Sequence, residues 1–140
     1  LGSAVSKTGA ALWLSQQTVS IWAESPAGAV AIISGLSLVL TEAMSNAAVV
    51  ALLMPVALGV AADFHMDPRV MALVTAVPAG LAFALPIGTP ANAIAYSSGY
   101  LRMRDIAVPG AVMAFTAWLL FNLLANFYWP LIGIRLSAPS

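Results

Sequence analysis

Three features of the sequence predict an all-α membrane protein. Hydrophobic residues make up 61% of the chain and charged residues 7%, with a mean hydropathy of +0.97, whereas a soluble domain carries roughly 25% charged residues. The apolar residues gather in runs long enough to form helices at membrane depth. Two of these runs are interrupted by polar breaks, Thr41-Glu42-Ala43-Met44-Ser45-Asn46 and Pro86-Ile87-Gly88-Thr89-Pro90-Ala91-Asn92. Lipid cannot hydrogen-bond a bare peptide group, so a helix that stops at membrane depth is tolerated only where protein buries it or it lines a cavity. Two such stops in one short chain point to a ligand site.

The rest of the composition narrows the class. Formal net charge is zero, with no basic run or acidic tail, so neither a nucleic-acid partner nor electrostatic docking to lipid headgroups is expected. Cysteine is absent, which excludes disulfides, thiol catalysis and thiolate metal sites. The single histidine, His65, cannot build a zinc site alone. The chain opens at Leu1 without a methionine or a basic stretch ahead of an apolar core, and so is expected to continue a longer one. At roughly 20 residues per crossing it holds at most about five or six spans. A part of a transporter, rather than an enzyme, is the expectation.

Residues 1–25 mix apolar positions with Ser, Thr, Gln and one lysine, which predicts interfacial or scaffold helices with Trp13 and Trp22 at headgroup level. From Pro26, a residue suited to a first helical turn, the chain runs to Ala62 with Glu42 as its only charge. Roughly 36 residues are too many for one crossing and too few for two with a turn. Residues 26–62 therefore predict a re-entrant hairpin that enters and leaves on one side, with Ser45 and Asn46 at its tip. The polar loop 63–69 follows, and its Asp67-Pro68 pair makes a natural helix start.

The apolar run 69–85, the break at Pro86–Pro90 and the resumption over 91–100 predict a discontinuous helix across 69–100, since each proline removes a donor and Gly88 permits unusual dihedrals. A short loop at 101–105 precedes residues 106–131, a final transmembrane helix with Asn122 and Asn126 one turn apart. Phe127, Tyr128 and Trp129 form an aromatic belt at its end. Loop 101–105 carries two arginines, against one arginine and two aspartates in loop 63–69. The positive-inside rule then starts the final helix in the cytoplasm and opens the hairpin from outside.

A broken helix exposes amides at the start of one half and carbonyls at the end of the other. The amide end attracts anions and the carbonyl end cations, a pairing that secondary transporters use at the membrane midplane. Asn46 offers an amide oxygen to a cation and an NH₂ to a carboxylate, while Ser45, Thr41 and Thr89 offer hydroxyls that do either. Neutral oxygens suit a monovalent ion, sodium, better than calcium. A plain helix cap at Ser45-Asn46 and a plain proline kink at Gly88-Thr89-Pro90 are the competing readings. Glu42, the only acid inside an apolar stretch, either meets a ligand or hydrogen-bonds the hairpin backbone. His65 and its neighbouring aspartates read as a solvated loop, and Asn122 and Asn126 as glue to a neighbouring helix.

The strings TEAMSNAAVVALLMPVAL and LPIGTPANAIAYSSGYLRMRDIAVPG resemble the C-terminal half of the divalent anion:sodium symporters, the sodium-coupled dicarboxylate and sulfate transporters. That family carries a Ser-Asn-Thr motif at each of two hairpin tips, one per inverted repeat. The opening LGSAVSKTGAALWLSQQ is similar to the stretch before the second hairpin. The resemblance implies an elevator-type, homodimeric, multi-pass protein of the cell (inner) membrane that couples sodium to uptake of a divalent anion, dicarboxylate or sulfate. Ser45, Asn46 and Thr89, with Pro90 beside them, would contact the anion. Thr41, Asn46 and the backbone at Met44 and Gly88 would hold one sodium ion, and the missing first repeat would supply the second. Ala47 stands where the family usually has threonine, which removes a possible substrate hydrogen bond worth about 1.5 to 3 kcal/mol and opens the choice of anion. A proton-coupled or metalloid-anion transporter of related architecture and a non-transporting half-protein or assembly partner are the alternatives.

Overall fold

The computed structural model describes residues 25–85, 89–134 and 136, so the interfacial helices expected over residues 1–25, with Trp13 and Trp22, lie outside the described residues except for Ser25. Five α-helices follow one another: α1 (Pro26–Thr41), α2 (Asn46–Asp63), α3 (Pro68–Ala79), α4 (Pro90–Ser97) and α5 (Met103–Leu123). No strand forms among the described residues.

Local chemistry sets most helix ends. Ser25 caps α1, its Oγ accepting the Gly28 N–H at 3.1 Å, and Pro26 fills the first turn where a missing donor costs nothing. Ser45 caps α2 in the same way. Asp67 caps α3 through the Arg69 N–H at 2.8 Å, again with proline at the first position. Between α2 and α3 the chain closes with the Met66 N–H on the Ala61 carbonyl (2.8 Å) and the His65 N–H on the Ala62 carbonyl (3.3 Å), a double bond pattern that needs a left-handed residue between them. His65 takes that conformation at φ 52°.

Helices α1 and α2 form an antiparallel hairpin closed by the four residues Glu42 to Ser45. Ala29, Val30 and Ile33 near the start of α1 pack with Val56, Ala57 and Val60 near the end of α2, and Leu36 and Leu40 pack with Val49 and Leu53 at the tip. At 1.5 Å per residue the arms are about 24 and 27 Å long. Helix α3 runs parallel to α1 and against both arms, with Val70, Met71 and Val74 in the lower cluster and Ala79 in the tip cluster. Two hydroxyls, one turn apart, stitch α1 to α3: Ser37 Oγ donates to the Thr75 carbonyl at 2.6 Å, and Thr41 Oγ1 lies 2.6 Å from the Ala79 carbonyl.

Helix α3 ends at Ala79, six residues short of the run to 85 expected from hydropathy. Pro78 sits in its last turn, where it withholds the N–H that the Val74 carbonyl would accept, and Gly80 follows. The non-helical stretch therefore already begins at residue 80, six residues before Pro86. The last helix differs in the other direction. It starts at Met103 rather than Ile106, because the Asp105 carboxylate reaches back to the Arg102 N–H at 2.9 Å, which draws Arg104 and Asp105 out of the expected loop into the first turn.

Helix α5 crosses α1 at Ser34, whose Oγ accepts both Trp118 Nε1 (3.0 Å) and Asn122 Nδ2 (3.2 Å). Asn122 thus joins two helices as expected. Asn126 does not: its Nδ2 bonds the Asn122 carbonyl of its own helix at 2.8 Å. Beyond Leu123 the helix widens into a π turn, Leu124–Tyr128, and tightens into a 3₁₀ turn, Trp129–Ile132. This change of winding turns Trp129 inward against Phe121, edge to face at 5.6 Å, so only Phe127 and Tyr128 of the aromatic trio stay exposed. The Leu136 carbonyl accepts the Asp67 N–H at 3.0 Å and brings the end of the chain to the base of the hairpin.

Candidate functional site

The hairpin tip, the end of α3 and the start of α4 are the parts from which a site is built. Thr41, the last residue of α1, is fully buried. Its Oγ1 lies 2.6 Å from the Ala79 carbonyl oxygen and 2.7 Å from Asn46 Oδ1. The Ala79 carbonyl belongs to the last turn of α3, where carbonyls have no intrahelical partner. A hydroxyl carries one proton, so it donates to only one of these two acceptors. The other oxygen pair is satisfied by a cation among the three oxygens, or by the Asn46 amide turned to present its NH₂.

The other motif hydroxyls sit at helix starts. Ser45 Oγ accepts the Ala48 N–H at 3.3 Å, and Thr89 Oγ1 accepts the Asn92 N–H at 3.2 Å. Both residues are therefore caps, as the plain reading had it, yet capping uses only an acceptor lone pair. Among the described residues neither hydroxyl proton meets an acceptor, so each is available to an anion placed at the positive ends of α2 and α4. Pro90 occupies the first position of α4, which fixes the helical φ at the point where a donor is dispensable. Ala47 lies exposed in the first turn of α2. Met44 is half-buried in the tip turn, its N–H on the Leu40 carbonyl at 3.1 Å. Gly88, expected to give a sodium ligand, lies outside the described residues with Pro86 and Ile87.

Glu42 bonds backbone, but not the hairpin's own. Oε1 accepts the N–H groups of Phe83 and Ala84, each at 2.9 Å, and Oε2 accepts that of Leu85 at 2.7 Å. The Leu85 carbonyl in turn accepts Asn92 Nδ2 at 3.2 Å. The tip of the hairpin is thus linked through the unwound segment to the first turn of α4. Sequence reasoning gave no role to Ala79 or Asn92. A backbone carbonyl has no side-chain signature, whereas Asn92, three residues after the cap Thr89, stands where a capping box places its second polar side chain.

The sequence profile of the sodium:sulfate symporter transmembrane region matches residues 1–135 of the chain. The chain belongs to the sodium:sulfate symporter family. Relatives in that family include a "Sodium-dependent dicarboxylate transporter SdcS" of Staphylococcus saprophyticus, 29% identical over 99% of the chain and 27% of the relative. A "Solute carrier family 13 member 2" of Oryctolagus cuniculus is 33% identical over 86% of the chain and 20% of its own length. A "Na(+)/citrate cotransporter" of Mus musculus is 32% identical over 85% of the chain and 21% of its own length. The chain thus spans about a fifth to a quarter of the length of these curated relatives. The matched region contains both polar breaks and every residue of the tip.

Proposed function

We propose that the chain forms the C-terminal half of a sodium-coupled symporter for a divalent anion, with α1 and α2 as a re-entrant hairpin and α3 and α4 as one discontinuous helix. The observation that carries this reading is the tip itself, where Thr41 Oγ1, Asn46 Oδ1 and the Ala79 carbonyl crowd together with a single hydroxyl proton between them. Sodium relieves that crowding of oxygens and neutralises part of the anion's charge, while Asn46 stands between cation and anion. With sodium bound the amide oxygen faces the cation; without it, rotation about the last torsion presents the NH₂ to Thr41 instead.

Ser45, Asn46 and Thr89, beside Pro90, are the anion contacts of this half-site. Thr41, Asn46, Ala79 and the backbone at Met44 and Gly88 are the sodium contacts. The opposing half-site comes from the first repeat of an elevator-type homodimer embedded in the cell (inner) membrane. The names of the relatives, a dicarboxylate transporter and a citrate cotransporter, favour a dicarboxylate or citrate over sulfate as the cargo. Proton coupling is the weaker reading, because Glu42, the acid nearest the tip, is taken up by three backbone amides.

Sodium-driven uptake into proteoliposomes tests the reading. In the complete transporter, Asn46→Ala is expected to abolish both anion uptake and its dependence on a sodium gradient. Uptake that keeps its sodium dependence in this variant overturns the assignment.

A further inference from the structure

We propose that Glu42 is a positioning residue: its carboxylate fastens the unwound segment Phe83–Leu85 to the hairpin tip, so that the cation-binding and anion-binding parts of the half-site hold one geometry. The proposal rests on the reading of the tip as a sodium and anion site, and adds to it the element that keeps its two breaks in register.

Three consecutive backbone N–H groups converge on one carboxylate, at 2.9, 2.9 and 2.7 Å. Successive amides pointing to one side make a concave anion site, and here the anion is a side chain from a residue more than forty positions earlier. Unwound backbone at membrane depth must find its hydrogen bonds inside the protein, and one carboxyl group, with two oxygens, can accept several of them at once.

The opposite face of the same segment is held as well. Gly110 of α5 lies so close that a Cβ built on it would overlap the Phe83 carbonyl and stand 2.7 Å from the Ala84 Cα. The peptide between Phe83 and Ala84 is therefore gripped between Glu42 and the backbone of α5, with no room for a methyl group. At its far end the Leu85 carbonyl receives Asn92 Nδ2, and Asn92 bonds the cap Thr89. A continuous path thus runs from Glu42, next in sequence to the cation contact Thr41, to Thr89, the anion contact on α4. Loosening Glu42 frees Thr89 and the α4 N-terminus from the tip without touching either ligand.

Hydrogen exchange and transport separate the possibilities. In the complete transporter in lipid nanodiscs, the amides of Phe83, Ala84 and Leu85 are expected to be protected. Glu42→Ala is expected to speed their exchange at least tenfold while the amides of α1 to α3 keep their protection, which shows that the protein is folded. Formate, a free carboxylate that fits the vacated amides, is expected to restore protection and part of the uptake in this variant. Gly110→Ala, which removes no charge, is expected to speed the same three amides, because the added methyl displaces the Phe83–Ala84 peptide from its place against α5 and misaligns its bonds to Glu42. Both variants are expected to raise the sodium concentration for half-maximal uptake at least tenfold.

Unchanged exchange of Phe83–Leu85 in Glu42→Ala overturns the latch whatever transport does. Faster exchange with unaltered sodium dependence in both variants also overturns it, because the latch then positions nothing. Failure of the underlying tip reading shows separately, as sodium-dependent uptake that survives Asn46→Ala.

Discussion

At the scale of single residues, the side chains proposed to meet ligands also set helix ends, and their hydrogen-bond capacity separates the two roles. Ser45 and Thr89 cap helices with a lone pair and keep a proton. Ala47 is where this chain lacks a donor: it is exposed on the first turn of α2, beside Ser45 and Asn46. A hydroxyl there can join the anion shell without disturbing packing. Ala47→Thr is expected to tighten a dicarboxylate relative to sulfate by about tenfold, the effect of one hydrogen bond to a charged group. Competition between the two anions for sodium-driven uptake measures this, and an unchanged ratio removes position 47 from the substrate shell. His65 is a residue of the opposite kind, with no ligand in reach and a left-handed backbone at φ 52° that normally calls for glycine. His65→Gly is expected to raise unfolding stability by up to about 1 kcal/mol, read as a higher thermal midpoint in detergent with transport unchanged. A lower midpoint would show that the imidazole holds the turn. The polar side chains of the candidate site were legible in the sequence because they interrupt apolar runs, although Ser34 and Ser37 do the same and only tie helices together. The Ala79 carbonyl and the Phe83–Leu85 amides were not, because every residue carries those groups and only the fold aims them.

At the scale of elements, helix starts were more legible than helix ends. Ser25-Pro26, Asp67-Pro68 and Thr89-Pro90 each pair a capping side chain with proline, and each begins a helix in the structure. The end of α3 was misplaced by six residues because residues 80–85 are as apolar as a helix interior, and hydropathy cannot distinguish apolar helix from apolar coil that protein buries. What stops the helix is Pro78 followed by Gly80, and what rewards the stop is Glu42. Function and helical stability therefore oppose each other here. Restoring the donor with Pro78→Ala and the side chain with Gly80→Ala favours continued helix by about 1 kcal/mol for the glycine and more for the proline. The nearest neighbour of a Cβ at Gly80 is the Val77 carbonyl at 3.4 Å, so the methyl fits. The double variant is expected to gain helical circular dichroism and to lose sodium-dependent uptake at least tenfold. A more helical α3 would draw the Ala79 carbonyl into an intrahelical bond and pull Phe83–Leu85 away from the tip. A gain in helicity with full uptake would show that the long break has no part in the site.

At the scale of the whole molecule, the arrangement of ends makes the sidedness of the chain testable. Asp67 and Leu136 are hydrogen-bonded, so the base of the hairpin and the end of α5 share one side. The loop after α4 lies at the other end of α5, which together with the π and 3₁₀ turns that continue it runs from Met103 to Ile132, 30 residues, or about 45 Å at about 1.5 Å per residue. That exceeds the roughly 30 Å hydrocarbon core, so the proposed crossing would set Tyr100 and His65 on opposite membrane faces. By the positive-inside rule, Arg102 and Arg104 beside Tyr100 would place that loop in the cytoplasm. Since the chain has no cysteine, one introduced thiol reports its own position. In cells expressing the transporter with its other cysteines removed, His65→Cys is expected to react with a membrane-impermeant maleimide added outside. Tyr100→Cys, 92% exposed in the isolated chain, is expected to react only after permeabilisation. Ala43→Cys, at the hairpin tip, is expected to react slowly from the outer side and more slowly still when sodium is present. Labelling of positions 65 and 100 from the same side would rule out a discontinuous helix that crosses between them. Exchange of the two sides would keep the hairpin and invert the orientation, leaving the single-arginine difference between the loops too weak to set the topology.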